Sequence, residues 1–233
     1  MKFDKAYVIG SNQVSEKRLN NFFKQNVLKN KKISIWPAIN GLNLNIKKYQ
    51  DLKYLSDNFK INLPGSLGCL LSHVTLWDFC KNDKECDIAL IFEDDVIINK
   101  NFEIQIKNLD INDLPNDWTM LRLSYKGLIG NPISKSIVKP DLLKKRGVNA
   151  GTWCYLLNTQ NADTLINELT PYENKNSMDV LLRNNIDNLK IFFTKNNLAE
   201  HNENKYSPRK DFNLPKKNIF EFIKITIRKY LYH

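Results

Sequence analysis

The sequence predicts a mixed α/β fold in which one Rossmann-like sheet is flanked by helices. Residues 6–10 form a short apolar run typical of a strand, and residues 15–28 carry apolar side chains at helical spacing. Residues 33–36 then alternate like a second strand and stop at Pro37. Strand, helix and strand in this order are the usual opening of an α/β sheet. A third apolar run, at residues 88–92, is typical of a buried strand in a parallel or mixed sheet.

The rest of the chain continues this alternation of helices and strands. The spacing of the apolar residues after Pro64 predicts an amphipathic helix that ends near Lys81. Residues 130–145 are predicted to be a loop or flap. The polar segment 198–204 is predicted to bring acids and a histidine back to a functional site. Further strands are predicted at residues 119–123, 152–157 and 191–193, and further helices at residues 161–169 and 178–184.

Length and charge limit the domain organisation and the partners. The 233 residues are 42% hydrophobic, which predicts one domain over residues 1–212 and a tail at residues 213–233. Lys and Arg number 35 against 25 Asp and Glu, a net charge of +10. This charge favours acidic partners such as sugar nucleotides, anionic glycolipids or nucleic acid. The four cysteines include no CxxC pair, so reduced thiols are expected.

The termini bear on where the protein works. The first residues lack the apolar core of a signal peptide, and no window of about 18 apolar residues could span a bilayer, so we expect a cytoplasmic protein. In the tail, Lys217, Glu221, Lys224 and Arg228 form one polar stripe of a predicted helix. Such a basic amphipathic helix suits peripheral contact with the anionic cytoplasmic face of an inner membrane. A helix docked on its own domain, or a strand at residues 223–228, are the alternatives.

Three adjacent carboxylates, Glu93, Asp94 and Asp95, follow the apolar run at residues 88–92. Acids at the carboxyl end of such a strand point into the crevice where open α/β sheets bind ligands. Because like charges this close repel, a hard divalent cation would neutralise them. In an extended strand Glu93 and Asp95 share one face and act together, unless the chain turns at Asp94. The alternative is an exposed acidic turn with no ligand.

Two motifs occur in a fixed order around these acids. They are GCLLSHVTLW at residues 68–77 and LIFEDDV at residues 90–96. Together they resemble the bacterial lipooligosaccharide glycosyltransferases of family 25, and the resemblance covers about residues 5 to 207. Weaker similarities are Arg18 after the opening strand, AING at residues 38–41, GTWCY at residues 151–155 and the pair Met178-Asp179.

The resemblance implies a GT-A-like fold, a nucleotide-sugar donor and an inverting transfer, commonly of galactose from UDP-galactose to a growing surface glycolipid. It also implies a divalent metal, Mn²⁺ or Mg²⁺, because charge accumulates on the leaving nucleoside diphosphate. We therefore predict an enzyme of lipooligosaccharide or capsule assembly.

The predicted site residues have four roles. Glu93, Asp95 and His201 are the predicted metal ligands. Asp179, with Asp94 second, is the predicted base for the acceptor hydroxyl. Donor binding is predicted for Val8, Gly10, Arg18, Asn40, Ser72, His73 and Arg122, and acceptor binding for Trp153 and Tyr155.

Several of these residues have a structural alternative. Asp179 suits the first turn of a helix without any catalytic role. His73 lies one helical turn from both Cys69 and Trp77, which is typical of a buried core histidine and does not favour metal binding through Cys69. One of Trp153 and Tyr155 is expected in the core. Arg18, Arg122 and Lys126 could pair with phosphate or be surface cations.

Two other functions are compatible with these patterns. A metal-dependent nuclease or phosphotransferase would also combine a basic surface with clustered acids, but the sequence has no P-loop or histidine-acid nuclease motif, so no nucleic-acid partner is expected. A catalytically silent carbohydrate-binding member of the same fold is the other alternative.

Overall fold

The computed structural model of the chain describes residues 2–11, 16–25, 28, 31–61, 63–143, 147–173 and 176–202. The predicted tail at residues 213–233 lies outside the described residues. Among the residues that are described, no helix is long and apolar enough to cross a membrane.

Helices and strands alternate along the described chain. The strands are β1 (Lys5–Gly10), β2 (Ile33–Pro37), β3 (Ile88–Glu93), β4 (Val96–Ile98), β5 (Met120–Lys126), β6 (Gly130–Pro132), β7 (Ile137–Pro140), β8 (Ala150–Asn158), β9 (Ile191–Thr194) and β10 (Ala199–His201). The helices are α1 (Glu16–Phe23), α2 (Ile46–Asp51), α3 (Pro64–Lys81), α4 (Phe102–Lys107), α5 (Ala162–Leu169) and α6 (Met178–Asn184).

One eight-stranded mixed sheet organises the fold, in the order β2-β1-β3-β8-β5-β9-β7-β6. Strands β2, β1 and β3 are parallel, while β8 is antiparallel to both of its neighbours, β3 and β5. Strands β4 and β10 form a separate antiparallel pair. The predicted mixed sheet flanked by helices is confirmed.

Each face of the sheet is covered by helices. Side chains of α3, α5 and α6 share one buried core with alternate residues of the strands, such as Ile91 of β3. Side chains of α1 and α4 share the second core, which contains the intervening residues Leu90 and Phe92. This alternation explains the continuous apolar run in β3, because both faces of a central strand are buried.

Most predicted elements are confirmed, and two predictions need correction. Residues 130–145 are not simply a flap, because Gly130–Pro132 and Ile137–Pro140 pair as antiparallel strands at the sheet edge. The predicted amphipathic helix is α3, but ten of its 18 residues are buried. It contacts the sheet, α5 and the segment that follows β2, so it lies inside the fold.

Glycines permit the close approach of α3 to the loop after β2. A Cβ atom on Gly68 would lie 2.4 Å from the carbonyl oxygen of Ile39, and one on Gly41 would lie 1.9 Å from that of Pro64. Ser72 stabilises the same contact, because its hydroxyl donates to Gly68 O (2.6 Å) and accepts from the Ile39 amide (2.8 Å). The glycine and serine of the GCLLSH motif therefore serve helix packing.

We predict that Gly68→Ala lowers the free energy of unfolding by roughly 1–3 kcal/mol, because the added methyl group meets backbone that cannot move aside easily. Urea denaturation of the purified chain measures this loss. Ser66→Ala, in the same turn of α3, is the matched control and should unfold near the wild-type midpoint. Equal midpoints for Gly68→Ala and the wild type would contradict the proposed close packing.

Candidate active site

The acidic motif lies at the carboxyl end of β3. The strand ends at Glu93, and Asp94 and Asp95 form a turn before β4. Because the chain turns there, the predicted sharing of one strand face by Glu93 and Asp95 does not hold. Glu93 is directed to His73 (Oε1 to Nε2, 3.4 Å), whereas Asp95 is directed to Arg18 and His201.

Arg18 neutralises the two aspartates of the turn. It extends from α1, and its Nη2 atom contacts both Asp94 Oδ1 and Asp95 Oδ2, the latter at 2.7 Å. All three side chains are largely buried, with 15%, 6% and 14% of their surface exposed. Gly10 permits this arrangement, since a Cβ atom there would lie 2.5 Å from Leu19 of α1 and 3.2 Å from Asp94 Oδ2. The predicted pairing of Arg18 with phosphate is thus replaced here by an internal ion pair.

His201 reaches Asp95 from the end of β10. It pairs with Val96 across the β4–β10 ladder, which sets its Nε2 atom 3.4 Å from Asp95 Oδ2. Its ring stacks on Trp153 of β8 at 4.6 Å with an angle of 16° between the planes. Burial by itself would raise the pKa of Asp95, but the hydrogen bond to His201 and the charge of Arg18 lower it below the ordinary value. Asp95 is therefore ionised at neutral pH.

The donor atoms at this turn fit a divalent cation. The Oδ1 atom of Asp95 is buried and has no hydrogen-bond partner among the described residues. An ionised oxygen in this position is expensive to leave unsatisfied. Carboxylate oxygens of this kind bind Mn²⁺ or Mg²⁺.

Asp179 lies farther along the same edge of the sheet, in the first turn of α6. Its Oδ1 atom accepts a hydrogen bond from the Gly151 amide at 2.7 Å and lies 3.9 Å from Arg122 Nη1. The side chain is 36% exposed, in contrast to 6% for Asp94. Of the two predicted bases, Asp179 is therefore the more exposed to solvent.

Arg122 is fully buried beneath Asp179. Its Nη1 atom donates to the carbonyl of Asn149 (2.9 Å), and its guanidinium carbon lies 5.2 Å from the centre of the Phe193 ring. Burial lowers the pKa of Arg122 to about 10, and the charge of Asp179 partly opposes that shift. The arginine therefore stays charged at neutral pH, and its position corrects the alternative of a surface cation.

A buried chain of hydrogen bonds joins the GCLLSH motif to the acids. Trp77 Nε1 donates to the hydroxyl of Tyr155 (2.8 Å), which is hydrogen-bonded to His73 Nδ1 (2.7 Å). The other ring nitrogen of His73 faces Glu93. Burial would lower the pKa of His73, but hydrogen bonds and charge from Cys69 and Glu93 raise it to about 9. His73 is thus a satisfied buried histidine, as its spacing indicated.

Several predicted donor and acceptor contacts are not available in this geometry. Val8 and Tyr155 are 0% exposed and belong to the two cores, so neither side chain reaches a substrate. Ser72 is 2% exposed and is engaged in helix packing. Asn40 is exposed, and its side-chain oxygen accepts from the Leu42 amide at 3.0 Å.

Trp153 and Tyr155 lie on different faces of the sheet because β8 is irregular. The register against β5 shifts between Ser124 and Lys126, opposite Cys154 and Ala150, which is the stretch of β8 that contains Trp153. Tyr155 therefore joins one core, while Trp153, which is half-buried, packs against the other and covers Gly151. Trp153 remains at the edge of the candidate site.

The sequence did not identify the grouping of Cys69, His73 and Glu93, whose ligand atoms all lie within 4.8 Å of one another. The spacing of Cys69 and His73, four residues apart on one helix, was the available signal. Their approach to Glu93 depends on how α3 crosses β3, which the sequence does not reveal.

We predict that Arg18→Gln lowers the free energy of unfolding by about 3 kcal/mol in the presence of chelator, because two buried aspartates lose their shared cation. Asp95 has a lowered pKa, so its contribution to stability is present above its ordinary pKa of 3.8 and is lost as the pH falls. The difference between variant and wild type should therefore shrink below about pH 4. Urea denaturation between pH 7 and pH 3.5 measures it. Lys47→Gln, which removes an exposed ion pair, is the control and should unfold like the wild type. An Arg18→Gln variant that also unfolds at the wild-type midpoint at pH 7 would refute the role of Arg18 in neutralising the aspartates.

Curated relatives share part of this chain. It is 33% identical over 69 residues to the lipooligosaccharide biosynthesis protein lex-1 of Haemophilus influenzae, an alignment that covers 30% of the chain and 20% of that protein. It is 25% identical over 178 residues to procollagen galactosyltransferase 1 of Danio rerio (71% and 29% covered), and 22% identical over 215 residues to human procollagen galactosyltransferase 2 (87% and 32% covered). The chain thus spans a third or less of each relative's length.

Solved glycosyltransferase structures are similar at a distance. One is apo GlyE of Streptococcus pneumoniae, with TM-score 0.40, 14% identity, and 81% of this chain and 44% of that chain covered. Another is a mutant of Drosophila β1,4-galactosyltransferase 7 in complex with manganese, UDP-Gal and xylobiose, with TM-score 0.41, 12% identity, and 87% and 72% covered.

A family model also matches most of the chain. The model of glycosyltransferase family 25, described as LPS biosynthesis protein, matches residues 3–189. This range contains β1 to α6 and therefore both acidic positions, the turn after β3 and the first turn of α6. The chain belongs to glycosyltransferase family 25.

Proposed function

We propose that this glycosyltransferase moves a hexose, galactose from UDP-galactose being the first candidate, to a lipooligosaccharide or related surface glycan with inversion at the sugar carbon. The observation that carries the proposal is the position of two carboxylates along one edge of the sheet. Asp95 is buried and ionised, and Asp179 is more exposed. The names of the relatives, a lipooligosaccharide biosynthesis protein and two galactosyltransferases, support the choice of donor and acceptor.

Asp95 and His201 are the proposed ligands of a divalent metal, with Asp94 beside them. When bound, such a metal stabilises the negative charge that develops on the leaving nucleoside diphosphate. Arg18 balances the two aspartates and keeps their side chains together. Glu93, the third predicted ligand, instead faces His73, so we leave it out of this proposed metal site.

Asp179 is the proposed general base. In an inverting transfer, the acceptor oxygen forms a bond to the anomeric carbon while the bond from that carbon to the phosphate oxygen breaks, and the hydroxyl proton passes to the base. The hydrogen bond from Gly151 and the nearby Arg122 fix the direction of the carboxylate. They leave part of the side chain open to an acceptor.

Trp153 is the proposed acceptor contact of this site. It stacks on His201 on one side and covers Gly151 on the other, so it links the Asp95 and Asp179 ends of the edge. An aromatic ring at the border of a polar site suits the apolar face of a sugar.

Variants at the two aspartates test the proposed roles. A donor that binds only the folded protein stabilises it by about 2.7 kcal/mol at one hundred times its Kd. We predict that wild-type protein shows a thermal shift with one nucleotide sugar in the presence of Mn²⁺ and none with chelator. Asp95→Asn should lose both the shift and turnover, whereas Asp179→Asn should keep the shift and lose turnover by roughly 100- to 10,000-fold.

Turnover is measured as UDP release with truncated lipooligosaccharide as acceptor. Asp163→Asn, an exposed acid on α5 that contacts Lys81, is the matched control and should behave like the wild type. Full turnover in Asp179→Asn would exclude it as the base. No shift with any donor would favour a silent carbohydrate-binding protein.

We also propose that residues 213–233 hold the enzyme at an anionic membrane surface, on the strength of their alternating basic and apolar residues. Each basic residue near such a surface contributes about 1 kcal/mol. Changing Lys217, Lys224 and Arg228 together to Gln in the full chain should therefore weaken binding to phosphatidylglycerol vesicles on the order of a hundredfold.

Vesicle sedimentation measures this binding, with phosphatidylcholine vesicles as the neutral surface. The control variant changes three exposed lysines outside the tail to Gln: Lys17, Lys32 and Lys53. It makes the same change in net charge and should weaken vesicle binding much less. Equal losses in the two triple variants would show that net charge, and not the tail, drives binding.

A further inference from the structure

Cys69, His73 and Glu93 form a compact set of metal-binding atoms that the proposed transfer reaction does not use. The thiol, an imidazole nitrogen and a carboxylate oxygen all lie within 4.8 Å of one another. Cys69 and His73 are one turn apart on the same side of α3, and Glu93 is the last residue of β3. We propose that these three residues are a binding site for Zn²⁺ or a similar borderline metal ion, separate from the cation held by the aspartates.

The chemistry of the ligands selects the class of metal. Thiolate and imidazole bind Zn²⁺ and Co²⁺ well, whereas Mg²⁺ and Mn²⁺ prefer sets of oxygen atoms. Three protein ligands with a fourth position left open are a common arrangement for zinc. Here His73 is 1% exposed while Cys69 and Glu93 are half-buried. The open position therefore lies on the side of the two partly exposed ligands.

The surroundings of His73 already have the form of a second coordination shell. Metal-binding histidines usually give their other ring N–H to a fixed acceptor, which sets the orientation of the ring. His73 Nδ1 contacts the hydroxyl of Tyr155 at 2.7 Å, and that hydroxyl is itself held by Trp77 at 2.8 Å. The remaining nitrogen, Nε2, is aimed at Glu93 at 3.4 Å. A metal at Nε2 would leave the contact with Tyr155 intact.

Charge also favours a cation at this position. Binding replaces the thiol proton of Cys69 and any proton on His73 Nε2, and these protons pass to solvent. The ionised thiolate and the Glu93 carboxylate together then balance a divalent ion. Such an ion would join α3 to the end of β3 directly before the Asp94–Asp95 turn.

Cobalt titration of the full chain, stripped of metal with chelator, tests the site without depending on sugar transfer. We expect a thiolate-to-metal charge-transfer band that reports one Co²⁺ per chain and is displaced by Zn²⁺ and not by Mg²⁺; any further Co²⁺ bound at the aspartates adds no such band. Cys69→Ser should abolish the band, and Glu93→Gln should weaken binding. Tyr155→Phe, which removes only the hydroxyl, should weaken it roughly 10- to 100-fold.

Two controls distinguish this site from the other candidates. Cys86→Ser changes a buried thiol elsewhere in the fold, and Asp95→Asn removes the proposed ligand of the catalytic metal; both should keep the band. Thermal unfolding in chelator confirms that each variant is folded. The proposal is overturned by a wild-type protein without the band, by a band that survives in folded Cys69→Ser, or by its loss in folded Cys86→Ser or Asp95→Asn.

Discussion

Neutralising three successive carboxylates at the end of a central strand is the constraint on which the site depends. Glu93 ends the strand, and Asp94 and Asp95 form the turn after it, where water is largely excluded. Arg18 meets both aspartates, and His73 meets Glu93. Arg18 comes from α1 on one face of the sheet and His73 from α3 on the other. Since an unpaired buried carboxylate is expensive, these helices are held to the sheet by charge as well as by apolar packing.

The same constraint explains why small residues surround the site. Gly10 leaves room for α1 to bring its arginine to Asp94, and Gly68 lets α3 lie against the backbone of the preceding loop. Gly151 has a φ of +97° and is covered by the ring of Trp153. At these three positions a side chain would push away the element that carries a functional group. Close packing at these glycines thus supports the geometry of the acids and of the histidine that stacks on Trp153.

Family membership and geometry support different parts of the functional argument. The family match covers residues 3–189 and establishes a glycosyltransferase. The geometry adds the contrast between the Asp94–Asp95 turn, largely buried beside Arg18 and His201, and the more exposed carboxylate of Asp179. It also separates Glu93 from its neighbours and places it with a thiol and an imidazole. One short acidic motif therefore contributes to both of the proposed metal sites.

The sequence by itself determined the α/β class, most of the strands and helices, and the acidic edge. Hydrophobic periodicity and a strand that ends in acids depend only on residues that are neighbours in the chain. Spacing also indicated the buried nature of His73, whereas Asp179 was singled out by the resemblance to the family. Only the tertiary structure decided that Val8 and Tyr155 are core residues and that Arg18 binds the aspartates internally. These outcomes depend on a bulge between β5 and β8, a turn at Asp94 and the crossing of α3 over β3. Such contacts join residues far apart in the chain, so local spacing does not contain them.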